Sequence, residues 1–159
     1  MSNIIPPRPR SSAVKRHFTI VASKFNAPYV QGLVDHATQE LRAISHGSST
    51  SIHQVPGAFE IPIVVRELAL QKNTDAILAF AVILKGHTAH AENLSRSVTD
   101  ALQRIAIENG VPIINAVLSL ENEDQARERC LEHEINRGTE AARAAVEIAG
   151  IITQLRTTK

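Results

Sequence analysis

Apolar and polar positions in this chain fall into two kinds of segment: short continuous apolar runs, and longer stretches where apolar residues recur every three or four positions. The longest run, residues 76–84, has too little alternation for a half-exposed strand and reads as a strand buried on both faces. Shorter runs at 16–22, 51–55 and 111–118 read as three more strands. Between them the helical spacing of Val30, Leu33, Val34, Ala37, Leu41 and Ile44 predicts a helix opening after Pro28 and stopping at Gly47. Ile63, Val64, Leu68 and Ala69 predict the buried stripe of a second helix. Ala91, Leu94, Val98, Ala101, Leu102 and Ile105 predict a third, beginning near Thr88 and ending at Asn109-Gly110. A charged fourth helix is expected over 121–130 and an Ala-rich fifth over 139–151, with Ala142, Ala145, Val146, Ile148 and Ala149 inward. The order β-α-β-α-β-α-β-α-α predicts an α/β fold: a four-stranded parallel sheet with right-handed crossovers and helices on both faces.

Composition narrows this picture. A chain of 159 residues is expected to form one domain and to bury about 70% of its unfolded surface. The division expected is an extended tail over 1–15 and a single domain over 16–159. Aromatics are 3% of residues and Trp is absent, so the core must be built from Ile, Val, Leu and Ala. A net charge of +1 argues against a nucleic-acid surface, which carries a strong basic excess. The basic cluster Arg8, Arg10, Lys15 and Arg16 is confined to the tail, where Pro6, Pro7 and Pro9 favour an extended or disordered segment awaiting a partner. One cysteine, Cys130, cannot make an internal disulfide. With no signal-peptide pattern and no long uncharged apolar span, a cytoplasmic protein without membrane contact is expected.

Candidate chemistry collects where the strands end, the edge at which parallel sheets bind ligands. After the longest run come Lys85, Gly86, His87, Thr88 and His90. A helix start here would offer the backbone N–H groups of 86–88 to a phosphate or other anion, with Lys85 reinforcing the field. A turn glycine and a capping threonine would look the same. His90, in the first turn, would feel the positive dipole end and stay neutral, fit to accept a proton near pH 7, although a surface histidine fits that position as well. His87, His90 and Glu92 do not complete a metal set, since no cysteine and no third ligand lies at a telling distance. Phe25-Asn26 offers an aromatic face beside an amide, suited to a flat heterocycle. Gly57, Ala58, Phe59 and Glu60 offer backbone donors and a carboxylate for hydroxyls. Phe25 and Phe59 could equally be core, and Glu60 a dipole partner. Three such loops at one sheet edge favour a ligand site.

These residues resemble a known family. Phe25-Asn26, then Val55-Pro56-Gly57-Ala58-Phe59-Glu60-Ile61-Pro62, then residues 81–90, followed by Gly110-Val111-Pro112, residues 123–129 and Asn136-Arg137-Gly138-Thr139, are similar to 6,7-dimethyl-8-ribityllumazine synthases. The resemblance runs from about Phe18 to Ile151. It implies a flavodoxin-like three-layer α/β/α sandwich. It also implies, without metal or cofactor, the condensation of 5-amino-6-ribitylaminouracil with 3,4-dihydroxy-2-butanone 4-phosphate in riboflavin biosynthesis. By position, Phe25 would stack on the pyrimidine, and Asn26, Gly57, Ala58, Phe59, Val82, Ile83 and Leu84 would surround it and its ribityl chain. Glu60 would bind ribityl hydroxyls, while Lys85, Gly86, His87 and Thr88 would hold the phosphate. His90 would shuttle protons. The family's site lies between subunits of at least a homopentamer, so Arg129 of a neighbour would pair with the phosphate, and Asn115 and Arg137 would line the ring pocket. The tail would pack on a neighbour. Asn115 stands where an aromatic is usual, Arg137 where Lys is common, and His87, Ala89 and Ala91 also depart from the usual pattern. A flavin- or lumazine-binding module and a shell-forming protein are the rival expectations on this scaffold.

Overall fold

A computed structural model of the chain describes residues 3–86 and 89–158. In chain order the elements are β1 (His17–Ser23), α1 (Ala27–Ile44), β2 (Ser49–Val55), a 3-10 turn (Ala58–Glu60), α2 (Ile61–Gln71), β3 (Ala76–Leu84), α3 (His90–Asn109), β4 (Ile113–Leu120), α4 (Glu123–Cys130) and α5 (Arg137–Thr157). Among the described residues the sheet has four strands in the order β2-β1-β3-β4, every pairing parallel. Each crossover carries a helix to one face, so the parallel sheet with helices on both faces that the alternation of runs and periodic stretches predicts is the flavodoxin-like three-layer α/β/α sandwich that the resemblance implies.

β3 divides its side chains between the layers with the strand period of two. Ala76, Leu78, Phe80 and Val82 join Phe18, Ile20, Leu33 and Leu41 under α1 and α5. Ile77, Ala79, Ala81 and Ile83 join Val21, Ile61, Val65 and Leu102 under α2 and α3. Full burial of each Leu, Ile or Phe contributes about 1.5–3 kcal/mol, so one strand stabilises both cores. Small residues set the spacing on the α1 side. A Cβ at Gly138 would lie 2.2 Å from the Leu33 carbonyl oxygen, and one at Gly32 would lie 2.4 Å from that of Cys130. α4 and α5 therefore approach the α1 backbone to distances only glycine permits.

Three helices differ from their expected form. In α2 the buried positions are Ile61, Val65, Leu68 and Ala69, while Ile63 is 58% exposed. The helix enters through the 3-10 turn, and that entry rotates the stripe away from Ile63. α3 starts at His90 rather than near Thr88, which lies outside the described residues, as does His87. α5 runs on to Thr157, six residues past the expected end, through a mostly polar, largely exposed stretch that leaves no buried stripe.

The tail lies along its own subunit. Arg8 donates to both carboxylate oxygens of Glu40 at 2.9 and 2.8 Å, and Arg143 Nε donates to the same group at 2.7 Å. Arg143 also bonds the Pro6 carbonyl, and the Ser12 N–H bonds the Ile44 carbonyl at 3.1 Å. Burial by itself pushes the Glu40 carboxyl up, but the hydrogen bonds and charges of Arg8 and Arg143 more than offset it, holding it below the ordinary carboxylate range.

Candidate active site

The carboxyl ends of β1, β2 and β3 open into a cleft of about 640 Å³. Its first wall is built by the β1–α1 turn. Ser23 Oγ accepts the Phe25 N–H at 3.1 Å, and Lys24 N–H bonds the Val55 carbonyl at 2.8 Å, so the turn is tied back to β2. Phe25 is left 71% exposed, its ring presented at the rim. Asn26 caps α1 in the left-handed region, φ 55° and ψ 42°, a conformation that Asn tolerates better than most residues. Its Nδ2 donates to the Val82 carbonyl at 2.7 Å, joining the first turn to the end of β3.

The second wall is the 3-10 turn. Gly57 is extended, φ −149° and ψ −178°, so its conformation alone does not call for glycine. A Cβ there, however, would sit 3.1 Å from Glu60 Oε2. Glycine is what lets the Glu60 carboxylate fold back beside the turn at the cleft wall. Ala58 is buried beneath, and Phe59 is 67% exposed.

β3 supplies the floor through Val82, Ile83 and Leu84, and α3 closes the far side with His90, its first helical residue. The amides that open α3 are thus those of 90–92, two or more residues beyond the expected positions. Gly86 lines the cleft. A Cβ on it would meet nothing within 4 Å, and its φ lies outside the left-handed region; neither turn geometry nor packing among the described residues requires glycine there. Ser23, Ala91 and Leu94 also line the cleft and were not expected to. For Leu94 the signal is its spacing, one helical turn beyond His90.

The structure therefore brings together Phe25, Asn26, Gly57, Ala58, Phe59, Glu60, Val82, Ile83, Leu84, Gly86 and His90. Lys85 turns away and pairs with Glu121, so its charge is already partnered. Asn115, on β4, bonds Thr99 Oγ1 at 3.1 Å and the Val117 N–H at 3.0 Å. Arg137, with 5% of its side chain exposed, pairs with Glu140. Arg129, on α4, has Nε and Nη1 shut off from solvent with no acceptor among the described residues. None of these four lines the cleft of its own subunit. Burial pushes the Cys130 thiol up to about 12, which keeps it protonated and inert as a nucleophile. Among the described residues no cluster of three or more His, Cys, Asp or Glu could hold a metal ion, and no helix is long and apolar enough to cross a membrane.

Comparison with known proteins places the whole chain rather than its individual site residues. The family model described as 6,7-dimethyl-8-ribityllumazine synthase matches residues 15–153. The chain is 39% identical over 137 residues to the 6,7-dimethyl-8-ribityllumazine synthase of Paraburkholderia phymatum, covering 86% of this chain and 77% of that one. The same figures hold for the enzyme of that name from Burkholderia multivorans. The one from Buchnera aphidicola is 36% identical over 151 residues, 94% of this chain and 95% of its own.

Proposed function

Because the chain belongs to the 6,7-dimethyl-8-ribityllumazine synthase family, we propose that it condenses 5-amino-6-ribitylaminouracil with 3,4-dihydroxy-2-butanone 4-phosphate. The products are 6,7-dimethyl-8-ribityllumazine, phosphate and water. The observation that carries this reading is the cleft, in which an aromatic face, a carboxylate, a bare glycine and a helix-start histidine share one cavity.

The roles follow from chemistry. Phe25 stacks on the pyrimidine, and Asn26, Gly57, Ala58, Phe59, Val82, Ile83 and Leu84 enclose the ring and the ribityl chain. Glu60 accepts hydrogen bonds from ribityl hydroxyls. Gly86 leaves its backbone accessible to the phosphate, beside the amides that open α3, and His87 and Thr88 complete that anion site. His90 takes the proton released as the amine adds to the ketone. It returns a proton as water leaves to form the imine, and assists loss of phosphate and ring closure in the same way. Holding both substrates against one another supplies much of the rate.

Arg129 serves the phosphate of the neighbouring subunit's site, and Asn115 lines that neighbour's ring pocket. Two buried guanidinium nitrogens without acceptors support this, because a buried donor left unpaired costs about 1–3 kcal/mol and an incoming anion would satisfy it. A site shared in this way needs a neighbouring subunit, and the assembly proposed, as the family resemblance implies, is at least a homopentamer working in the cytoplasm. Mixing the two substrates and following lumazine absorbance and fluorescence tests the reaction. Product formation is expected, whereas flavin binding without any product would mark a binding module and overturn the reading. Sedimentation checks the assembly, and a monomer would contradict the shared site.

A further inference from the structure

Arg129 has one hydrogen bond that the reaction does not account for. Its Nη2 donates to Asn3 Oδ1 at 3.3 Å, a contact between α4 and the far end of the N-terminal tail. The tail reaches that point along a defined track. Ser12 is tied to the end of α1, Arg8 to Glu40 one turn before that end, and Pro6 to Arg143 of α5. Glu40 is itself held from the other side by Arg143, so one buried carboxylate fastens the strap to two helices.

The chemistry of the contact matters more than its strength. Lys85 faces Glu121, Arg137 faces Glu140 and Arg143 faces Glu40, each cation matched by a carboxylate. Arg129 has no such ion pair among the described residues and meets a neutral amide instead. A carboxylate would neutralise the guanidinium. An amide fixes its direction and leaves its charge without a neutralising partner. An arginine has many rotamers, and one restrained beforehand loses less freedom when its ligand arrives.

We propose that Asn3 is a positioning residue for Arg129, delivered by a tail that Glu40 clamps, so that the tail of one subunit orients the phosphate-binding arginine of the next subunit's site. This rests on the reading of Arg129 given above. The test is steady-state kinetics on the assembled full-length protein, its oligomeric state checked by sedimentation, with each substrate varied in turn. Asn3→Ala should raise KM for the phosphorylated ketone about threefold to tenfold, less than full loss of a charge-assisted bond. KM for the ribitylamino substrate and kcat should stay within about twofold. Asn3→Asp should raise the same KM further, because aspartate competes for the charge, and Glu40→Gln should move it in the same direction by loosening the strap. In an Arg129→Ala background Asn3→Ala should do nothing more. An unchanged KM in Asn3→Ala, equal shifts for both substrates, or an effect that persists without Arg129 would overturn the proposal. If Arg129→Ala itself leaves the phosphorylated ketone's KM unchanged, the phosphate reading fails. If Arg129→Ala acts and Asn3→Ala is silent, only the positioning role fails.

Discussion

Adding one methyl group to α5 at two different glycines should move stability in opposite directions. At Gly138 the new Cβ would lie 2.2 Å from the Leu33 carbonyl oxygen, 2.9 Å from its carbon and 3.0 Å from its Cα. All three are backbone atoms of α1, so no side chain can rotate away, and α5 must withdraw by roughly 1 Å to restore ordinary contact. The Asn136 cap resists this, since its Oδ1 accepts the Gly138 N–H at 2.9 Å. Overpacking costs about 1–3 kcal/mol, and a backbone-on-backbone clash belongs at the upper end. Alanine's helix preference, worth about 1 kcal/mol in a helix interior, offsets less than that so close to the helix start. The net expectation for Gly138→Ala is a loss of about 2–3 kcal/mol, or roughly 4–12 °C in Tm for a chain of this size. At Gly150 the same methyl meets nothing within 4 Å, and Gly150→Ala should gain about 0.5–1 kcal/mol. Urea and thermal unfolding at one fixed protomer concentration, as linkage to assembly requires, read both. If Gly138→Ala is as stable as the parent, or if the two variants shift together, close approach is not what glycine provides at 138.

Replacing His90 by Ala should slow turnover about 10-fold to 1,000-fold with assembly intact, in line with general acid–base effects; an unchanged kcat removes it from the mechanism. Gly57→Ala should push the Glu60 carboxylate outward, raising KM for the ribitylamino substrate while thermal stability changes by less than about 1 kcal/mol; equal KM values would show that the close contact is irrelevant to binding. Since the Glu40 carboxyl is held below its ordinary value of 4.5, the stability it contributes is complete above about pH 4.5 and is lost as pH falls through its lower folded value. The difference in unfolding free energy between the parent and Glu40→Gln should therefore shrink on acidification below that pH, and a difference constant down to pH 3 would contradict the clamp.

The element order was legible because continuous apolar runs and three-four spacing are physically distinct in a two-core α/β protein. β3 carries apolar residues at both parities along its whole length because it feeds both cores. Phase was harder to read. Residues 61, 63, 64 and 65 are all apolar, and which of them face inward depends on the 3-10 turn before the helix. The cleft was legible residue by residue in three loops, since each lies at a strand's carboxyl end. What lay beyond a local reading was how side chains cross between elements. The Lys85–Glu121 pair, the burial of Arg137 and the strap from Asn3 to Ser12 join residues distant in sequence, and no spacing encodes such contacts. The start of α3 slipped because no Ser, Thr, Asp or Asn stands at 89 to cap it.

The 2.7 Å bond from Asn26 to the Val82 carbonyl bears on the thermodynamics of ligand capture. It couples the rim that carries Phe25 to the sheet's most buried strand, so the stacking surface inherits the rigidity of the core. The ordering of that loop is then met during folding rather than at each encounter with a substrate, and a heterocycle entering the cleft finds its wall already in place. Asn26→Ala should accordingly weaken binding through an unfavourable entropy of association more than through lost enthalpy, a preorganisation signature that calorimetry can separate from a missing contact.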